Sequence, residues 1–158
     1  MPDAFLKKLI GRWQGTCLTW FEPGDPNDQA EIEGNIVSVA GGSLIKHSYR
    51  STMQNKPRQG EEWIAYNPIR NVVQMSWMDD FHMANGIMHC EGKFTAAGFW
   101  VMGTYDVAMN EPAWSWKTCY QFIDDDKLIM TAYNVSPDGL EEKAVETVYR
   151  NISDRSRQ

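Results

Sequence analysis

Cysteine is scarce in this 158-residue chain: Cys17, Cys90 and Cys119 are its only three, and none stands in a C-x-x-C spacing. An odd, widely scattered set argues against a disulfide framework or a cysteine zinc site and reads as buried free thiols in a reducing compartment. Long apolar runs are missing too. Nothing approaches the roughly 20 apolar residues of a membrane span, and Lys7 and Lys8 interrupt the opening MPDAFLKKLIGRW before it reaches signal-peptide length. The expectation is a cytoplasmic protein without a membrane partner.

Positive charge is in deficit, with 15 Lys and Arg against 21 Asp and Glu and a formal net charge of -6. No basic run exists to neutralise phosphates, which excludes nucleic acid as a partner. The chain has no G-x-S-x-G, P-loop or dinucleotide fingerprint, and Gly41-Gly42 is a turn with no helix behind it to receive a phosphate. Histidines number three. His82 and His89, with Glu91 nearby, have opposite parity on one expected strand, so they do not form a metal site. Asp79-Asp80 and Asp124-Asp125-Asp126 lack the calcium-loop pattern and read as solvated turns. No cofactor and no metal are expected.

What the chain does have is aromatic weight: seven Trp, six Tyr and six Phe beside nine Met. Such side chains suit pleated sheets and cavity walls. Asp3 is placed to cap a short helix whose Leu6, Leu9 and Ile10 share one face, with Gly11 ending it. Beyond it, short segments alternate between apolar and polar residues and are separated by turn clusters such as Pro23-Gly24-Asp25-Pro26, Ala96-Ala97-Gly98 and Ser136-Pro137-Asp138-Gly139. Strands are expected at about 12–22, 29–40, 44–53, 61–67, 72–78, 82–95, 99–108, 114–123, 128–135 and 142–151, with 54–60 a polar loop. Regular short strands with short turns indicate an all-β meander. Closure into a single antiparallel barrel of about ten strands is preferred, because neither terminal strand carries the Pro or dense Lys that blunts an open edge. No repeat or linker divides residues 1–158, so a single domain is expected.

Gly11-Arg12-Trp13, at the start of the first strand and behind the short helix, resembles the G-x-W signature of lipocalins and their calycin relatives. Ala40-Gly41-Gly42-Ser43-Leu44, and Tyr66-Asn67-Pro68 followed by a strand with Trp77, are similar to small lipocalin-like domains of unknown function. Together these motifs cover residues 8–151 and imply a lipocalin-like barrel. The resemblance also implies that Trp13 closes the barrel base and that an Arg from a late strand, here Arg150, packs across its indole. Such a contact is worth roughly 0.5–2 kcal/mol. Haem-binding nitrobindins open similarly with G-x-W-x-G-x-G, but Cys17 replaces the last glycine and no His follows His89 to ligate iron.

If Trp13 points inward, the two-residue period of each strand assigns the other faces. His47, Tyr49, Ser51 and Met53 then face in, opposite Lys46, Ser48 and Arg50. Val73, Met75 and Trp77 face in, as do Trp114, Trp116, Thr118, Tyr120 and Phe122. If Arg150 packs inward, Glu146 and Val148 accompany it. The sixth strand stays open, with His89 sharing a face with Ile87 and Glu91, and Met88 and Cys90 opposite. A bulge reverses any of these assignments.

The candidate ligand-binding residues are therefore His47, Tyr49, Met75, Trp77, His89, Trp116, Tyr120 and Glu146. Mostly apolar walls with a few polar groups are the make-up of a small-molecule pocket. The expected ligand is a small, mostly apolar or aromatic molecule with one polar end. The alternative is a small lipocalin-like enzyme of isomerase, cyclase or lyase type, using an internal His, Glu and Tyr as an acid–base set. A solid interior with an outer apolar patch would instead mark a structural or partner-binding module. A homodimer is left open.

Overall fold

Alternation between buried and exposed positions is nearly strict along ten segments, and each of them is a strand. The computed structural model describes residues 2–83 and 85–153. It contains α1 (Pro2–Leu9), β1 (Gly11–Thr19), β2 (Asp28–Val39), β3 (Leu44–Met53), β4 (Lys56–Asn67), β5 (Val72–Asp79), β6 (Met88–Phe94), β7 (Gly98–Tyr105), β8 (Trp114–Asp124), β9 (Lys127–Val135) and β10 (Glu141–Asn151). Each strand pairs antiparallel with its sequence neighbours, and β1 also pairs with β10, which closes a ten-stranded barrel. The short N-terminal helix and the closed all-β meander are as the turn spacing predicts.

Gly11 makes the corner between helix and first strand at φ +151°, a conformation that side chains rarely adopt. The corner sends α1 back over the end of the barrel. Phe5 enters among Phe94, Phe99 and Phe122, with ring centroids 5.1–5.7 Å apart and edge-to-face geometry. Trp13 is 1% exposed, and its indole N–H donates to the Leu9 carbonyl at 2.8 Å, satisfying an orphan acceptor at the helix end.

The neighbours of Trp13 are Tyr149 (6.1 Å) and Phe122 (6.2 Å), while Arg150 is exposed on the outer surface. The expected Trp13–Arg150 stack is therefore absent. Residues directly opposite in an antiparallel pair share a face. With Trp13 opposite Asn151 and Gly15 opposite Tyr149, the odd positions of β10 accompany Trp13 inward. A register shift between Lys143 and Val145 lets Ala144 be buried as well.

Two segments differ from their expected extents. Residues 54–60 are mostly strand: Met53 pairs with Lys56 across a two-residue turn in which Gln54 and Asn55 both have positive φ (49° and 64°). That is the turn geometry matched to the twist of a hairpin. Pro57 is tolerated there because pairing of β4 with β5 begins only at Gly60. Conversely, β6 starts at Met88, and His82 lies in the turn after β5.

Trp13→Ala removes a large buried ring and the helix tie, and is expected to cost about 3–5 kcal/mol in urea melts. Arg150→Ala is expected to stay within about 0.5 kcal/mol of the parent. The two effects should add, and a measurable coupling between them would contradict the outward placement of Arg150.

Candidate functional site

One cross-strand row carries the interior chemistry: Ile36, His47, Glu62, Trp77 and Met88 are successive partners on β2 to β6. The next row runs Trp13, Gly34, Tyr49, Gly60 and Asp79. Its two glycines make room for phenol rings. A Cβ at Gly34 would run into the Tyr149 hydroxyl and lie 2.9 Å from His47 Nε2, and one at Gly60 would run into the Tyr49 hydroxyl.

Two hydrogen-bonded groups fill the space so provided. In the first, the Glu62 carboxylate faces His47 Nδ1 at 3.0 Å and accepts from the Tyr120 hydroxyl at 2.8 Å across the barrel. His47 Nε2 lies 3.0 Å from the Tyr149 hydroxyl. In a neutral ring whose Nε2 accepts from that hydroxyl, the proton sits on Nδ1 and is donated to Glu62. In the second group, Asp79 accepts from the Tyr49 hydroxyl in a short hydrogen bond, from Arg58 Nη1 at 3.0 Å, and from the backbone N–H groups of Phe81 and His82 at 2.7 and 2.8 Å. Trp77 Nε1–H donates to the Tyr49 hydroxyl at 2.9 Å. The guanidinium of Arg58 also stands 5.2 Å over the Tyr49 ring.

Burial, reinforced by the nearby carboxylates, pushes the phenols of Tyr49, Tyr120 and Tyr149 well above their ordinary range, so they remain donors. Burial also pushes the Cys90 thiol up to about 12, with Glu62 adding to the effect, which leaves an unreactive sulfur. Cys17, Cys90 and Cys119 are all free thiols. For Asp79, burial acts upward. It is outweighed by the His82 imidazole, the Tyr49 hydroxyl and the His82 amide, and the carboxyl is held well below the usual range.

Between the two groups and the barrel mouth lies a cavity of about 60 Å³. His47, Tyr49, Arg58 and Glu62 line its polar side, and Ile32, Trp77, Trp116 and Met130 its apolar side. Trp77 and Trp116 are stacked, with centroids 5.4 Å apart and planes 18° from parallel. The His82 ring packs against both, at 5.8 and 5.4 Å. A larger hollow of about 680 Å³ lies on the outer face of β1–β5, bounded by exposed Arg12, Glu33, Arg50 and Gln59. Its buried lining residues, Trp13, Gly34, Tyr49 and Asp79, belong to inward-facing strand positions and the rest are exposed or half-buried, so the interior cavity is the candidate site.

Of the residues expected to face the ligand, His47, Tyr49, Trp77 and Trp116 line this cavity. Tyr120 stands one hydrogen bond behind it, and Met75 is packed in the core, 3% exposed. Two placements are corrected. Glu146 points outward and pairs with Lys143 at 2.9 Å, because the odd positions of β10 face in. His89 is exposed and hydrogen-bonds Ser76 at 2.9 Å on the outer surface, because Met88 and Cys90 take the inner face of β6.

Arg58, Glu62, Asp79, His82 and Tyr149 were not anticipated. Arg58 was hidden in the supposed loop 54–60, and reading Gln54-Asn55 as a two-residue hairpin turn would have exposed it. Glu62 alternates with Trp63, and hydrophobicity favours the wrong one: Trp63 is outside, 38% exposed, and Glu62 is inside at 4%. Among the described residues, no three His, Cys, Asp or Glu side chains are grouped to hold a metal ion. No helix among them is long and apolar enough to cross a membrane.

A family model described as "Protein of unknown function (DUF1579)" matches residues 2–151. No curated protein matches the chain significantly. Among solved structures, the crystal structure of Rv2717c from M. tuberculosis superposes with a TM-score of 0.65 at 14% identity, covering 96% of this chain and 98% of that one. The S-type phycobiliprotein lyase CPES from Guillardia theta gives 0.63 at 12% identity, with 98% and 93% covered. At these identities the likeness is one of fold.

The Asp79–Arg58 pair is buried, at 0% and 5% side-chain exposure, so Asp79→Asn should destabilise the protein by about 3–5 kcal/mol at pH 7. Because the folded-state pKa is depressed, the stabilisation is complete above the unfolded value of about 3.9 and is lost as pH falls through the folded one. The gap between parent and variant in thermal or urea melts should be constant above about pH 5 and shrink below about pH 4. A gap that widens on acidification would refute this.

Proposed function

Because the chain belongs to the DUF1579 family of proteins of unknown function, its role has to be read from the site itself, and we propose that the barrel binds a small, mostly apolar molecule. The polar end of that molecule enters the cavity beside His47, Tyr49, Arg58 and Glu62, and its apolar body lies against Trp77 and Trp116. One observation carries this reading: a cavity inside the barrel has stacked indoles on one side and a converging set of polar groups on the other. Burying charged and polar side chains is costly unless they are partnered. A purely structural interior would have filled those positions with apolar residues.

The cavity measures about 60 Å³. Pockets for whole drug-sized ligands run to roughly 300–1,000 Å³. The cavity therefore takes the head of the ligand, and the body displaces His82. That residue is a lining group contributed by a turn, with its side chain 15% exposed. The barrel it shares with a phycobiliprotein lyase is compatible with this reading but does not carry it.

A second reading, an acid–base enzyme of isomerase, cyclase or lyase type, is favoured by the continuous Tyr149–His47–Glu62–Tyr120 chain. A His oriented by a carboxylate and flanked by phenols is the material of general acid–base catalysis.

Native mass spectrometry of the purified protein, followed by a thermal-shift screen of small aromatic and aliphatic compounds, tests both. A carried molecule or a clear upward shift is expected. Trp116→Ala should weaken binding at least tenfold, while Trp63→Ala on the outer surface leaves it unchanged. No retained molecule and no shift across the screen would defeat the binding reading. A ligand released chemically changed, with the change abolished but binding kept in Glu62→Gln, would establish the enzyme instead.

A further inference from the structure

Which polar end the cavity accepts follows from counting what its walls leave unsatisfied. Both Glu62 oxygens accept, one facing His47 Nδ1 and one the Tyr120 hydroxyl. Both His47 nitrogens are engaged. The Tyr49 hydroxyl donates to Asp79 and accepts from Trp77. Each oxygen of Asp79 already takes two donors. Two cavity-lining residues are exceptions: His82, whose Nδ1 faces Asp79 Oδ1 only at 3.5 Å, and Arg58. Arg58 Nη1 holds Asp79 and its Nη2 approaches Cys17 Sγ at 3.5 Å, but its Nε–H is buried without a partner. An unsatisfied buried donor is costly and rare. Here it belongs to a residue that lines a cavity and is only 6% exposed.

The Arg58 donor calls for an acceptor, and charge selects which kind. The interior around the cavity holds one guanidinium, Arg58, two carboxylates, Asp79 and Glu62, and the imidazoles of His47 and His82 beside them. Counted by formal charge, with histidines taken as neutral, the carboxylates outnumber the guanidinium by one. A ligand carboxylate would add a further negative charge in a poorly screened site, where like charges repel strongly. An ammonium would carry only donors and leave Arg58 Nε–H as it is. An uncharged carbonyl satisfies the donor without altering the balance.

We propose that Arg58 Nε–H is the anchor of the binding site and that the ligand is an uncharged carbonyl compound, a ketone or aldehyde on an apolar body, rather than an acid or an amine. The proposal rests on the barrel-binding reading of the preceding subsection and specifies its substrate class.

The test uses the unmodified protein and two apolar bodies, phenyl and n-hexyl, each bearing a methyl ketone, a carboxylate or a primary ammonium. Affinities are read from tryptophan fluorescence, with Trp77 and Trp116 as reporters. The ketones are expected to bind at least tenfold more tightly than the matched carboxylates and ammoniums. The infrared stretch of a ¹³C-labelled ketone carbonyl should move to lower frequency than in hexane, as a hydrogen-bonded carbonyl does. Arg58→Lys, which keeps the charge and removes Nε, should abolish the preference and the shift. If that variant fails to fold, the ranking and the infrared band of the parent protein decide alone. Carboxylate or ammonium binding as tight as ketone binding would overturn the carbonyl assignment and leave the barrel-binding reading intact. So would an unshifted band in a bound ketone, or a carried molecule of another class with no ketone binding. If none of the six compounds binds and the purified protein carries nothing, both readings fall.

Discussion

The pairing of β1 with β10, Trp13 opposite Asn151 and Gly15 opposite Tyr149, is the constraint on which the interior depends. Once the sheet is closed there is no edge strand left to slip, and a shift of one residue would exchange every inward side chain for its outward neighbour. With Trp13 locked inward under α1, the register passes from strand to strand around the barrel. It delivers His47 beside Glu62, Glu62 beside Trp77, and Tyr49 beside Gly60. The polar network is thus a consequence of closure and of its phase, rather than a local motif.

The same closure explains how charged groups survive inside. Arg58 and Asp79 come from adjacent strands, β4 and β5, and they meet with the Tyr49 hydroxyl and two backbone amides around a single carboxylate. Several hydrogen bonds to one buried anion are what make its ionised form tolerable. Deeper in, the Glu62 carboxyl is held by His47 and Tyr120, without a guanidinium of its own. The barrel is therefore stratified. An aromatic plug of Phe5, Trp13, Phe94, Phe99 and Phe122 closes one end, polar groups occupy the middle, and the indoles of Trp77 and Trp116 stand with His82 toward the other end.

That layering places the proposed ligand. At the plugged end Phe5 packs edge to face on Phe94, Phe99 and Phe122, whereas the cavity sits where apolar wall and hydrogen-bonding groups meet. Arg58 and Glu62, which line the cavity, are each tied to a partner on another strand. Such groups select ligands by charge and by donor–acceptor pattern, since they are not free to reorganise around a mismatch.

Much of this architecture was legible in the chain itself. Turn clusters such as Ser136-Pro137-Asp138-Gly139 and the alternation of His47, Tyr49 and Met53 with Lys46, Ser48 and Arg50 specify strands and their faces, because both are local properties of a pleated backbone. The N-terminal helix and the inward Trp13 are local in the same sense. The phase of β10 is not, because Glu146, Val148 and Arg150 form as regular an alternation as Thr147 and Tyr149. Only pairing with β1 decides between them, and it sets Glu146 and Arg150 outside. Likewise Glu62 and Trp63 are neighbours on one strand, and a hydrophobicity rule buries the wrong one. The carboxylate goes inside because His47 and Tyr120, 15 and 58 residues away in sequence, are there to hold it. Local sequence determined the strands and the helix. Which face of each late strand turns inward was decided by long-range register and by the partners that a buried charge requires.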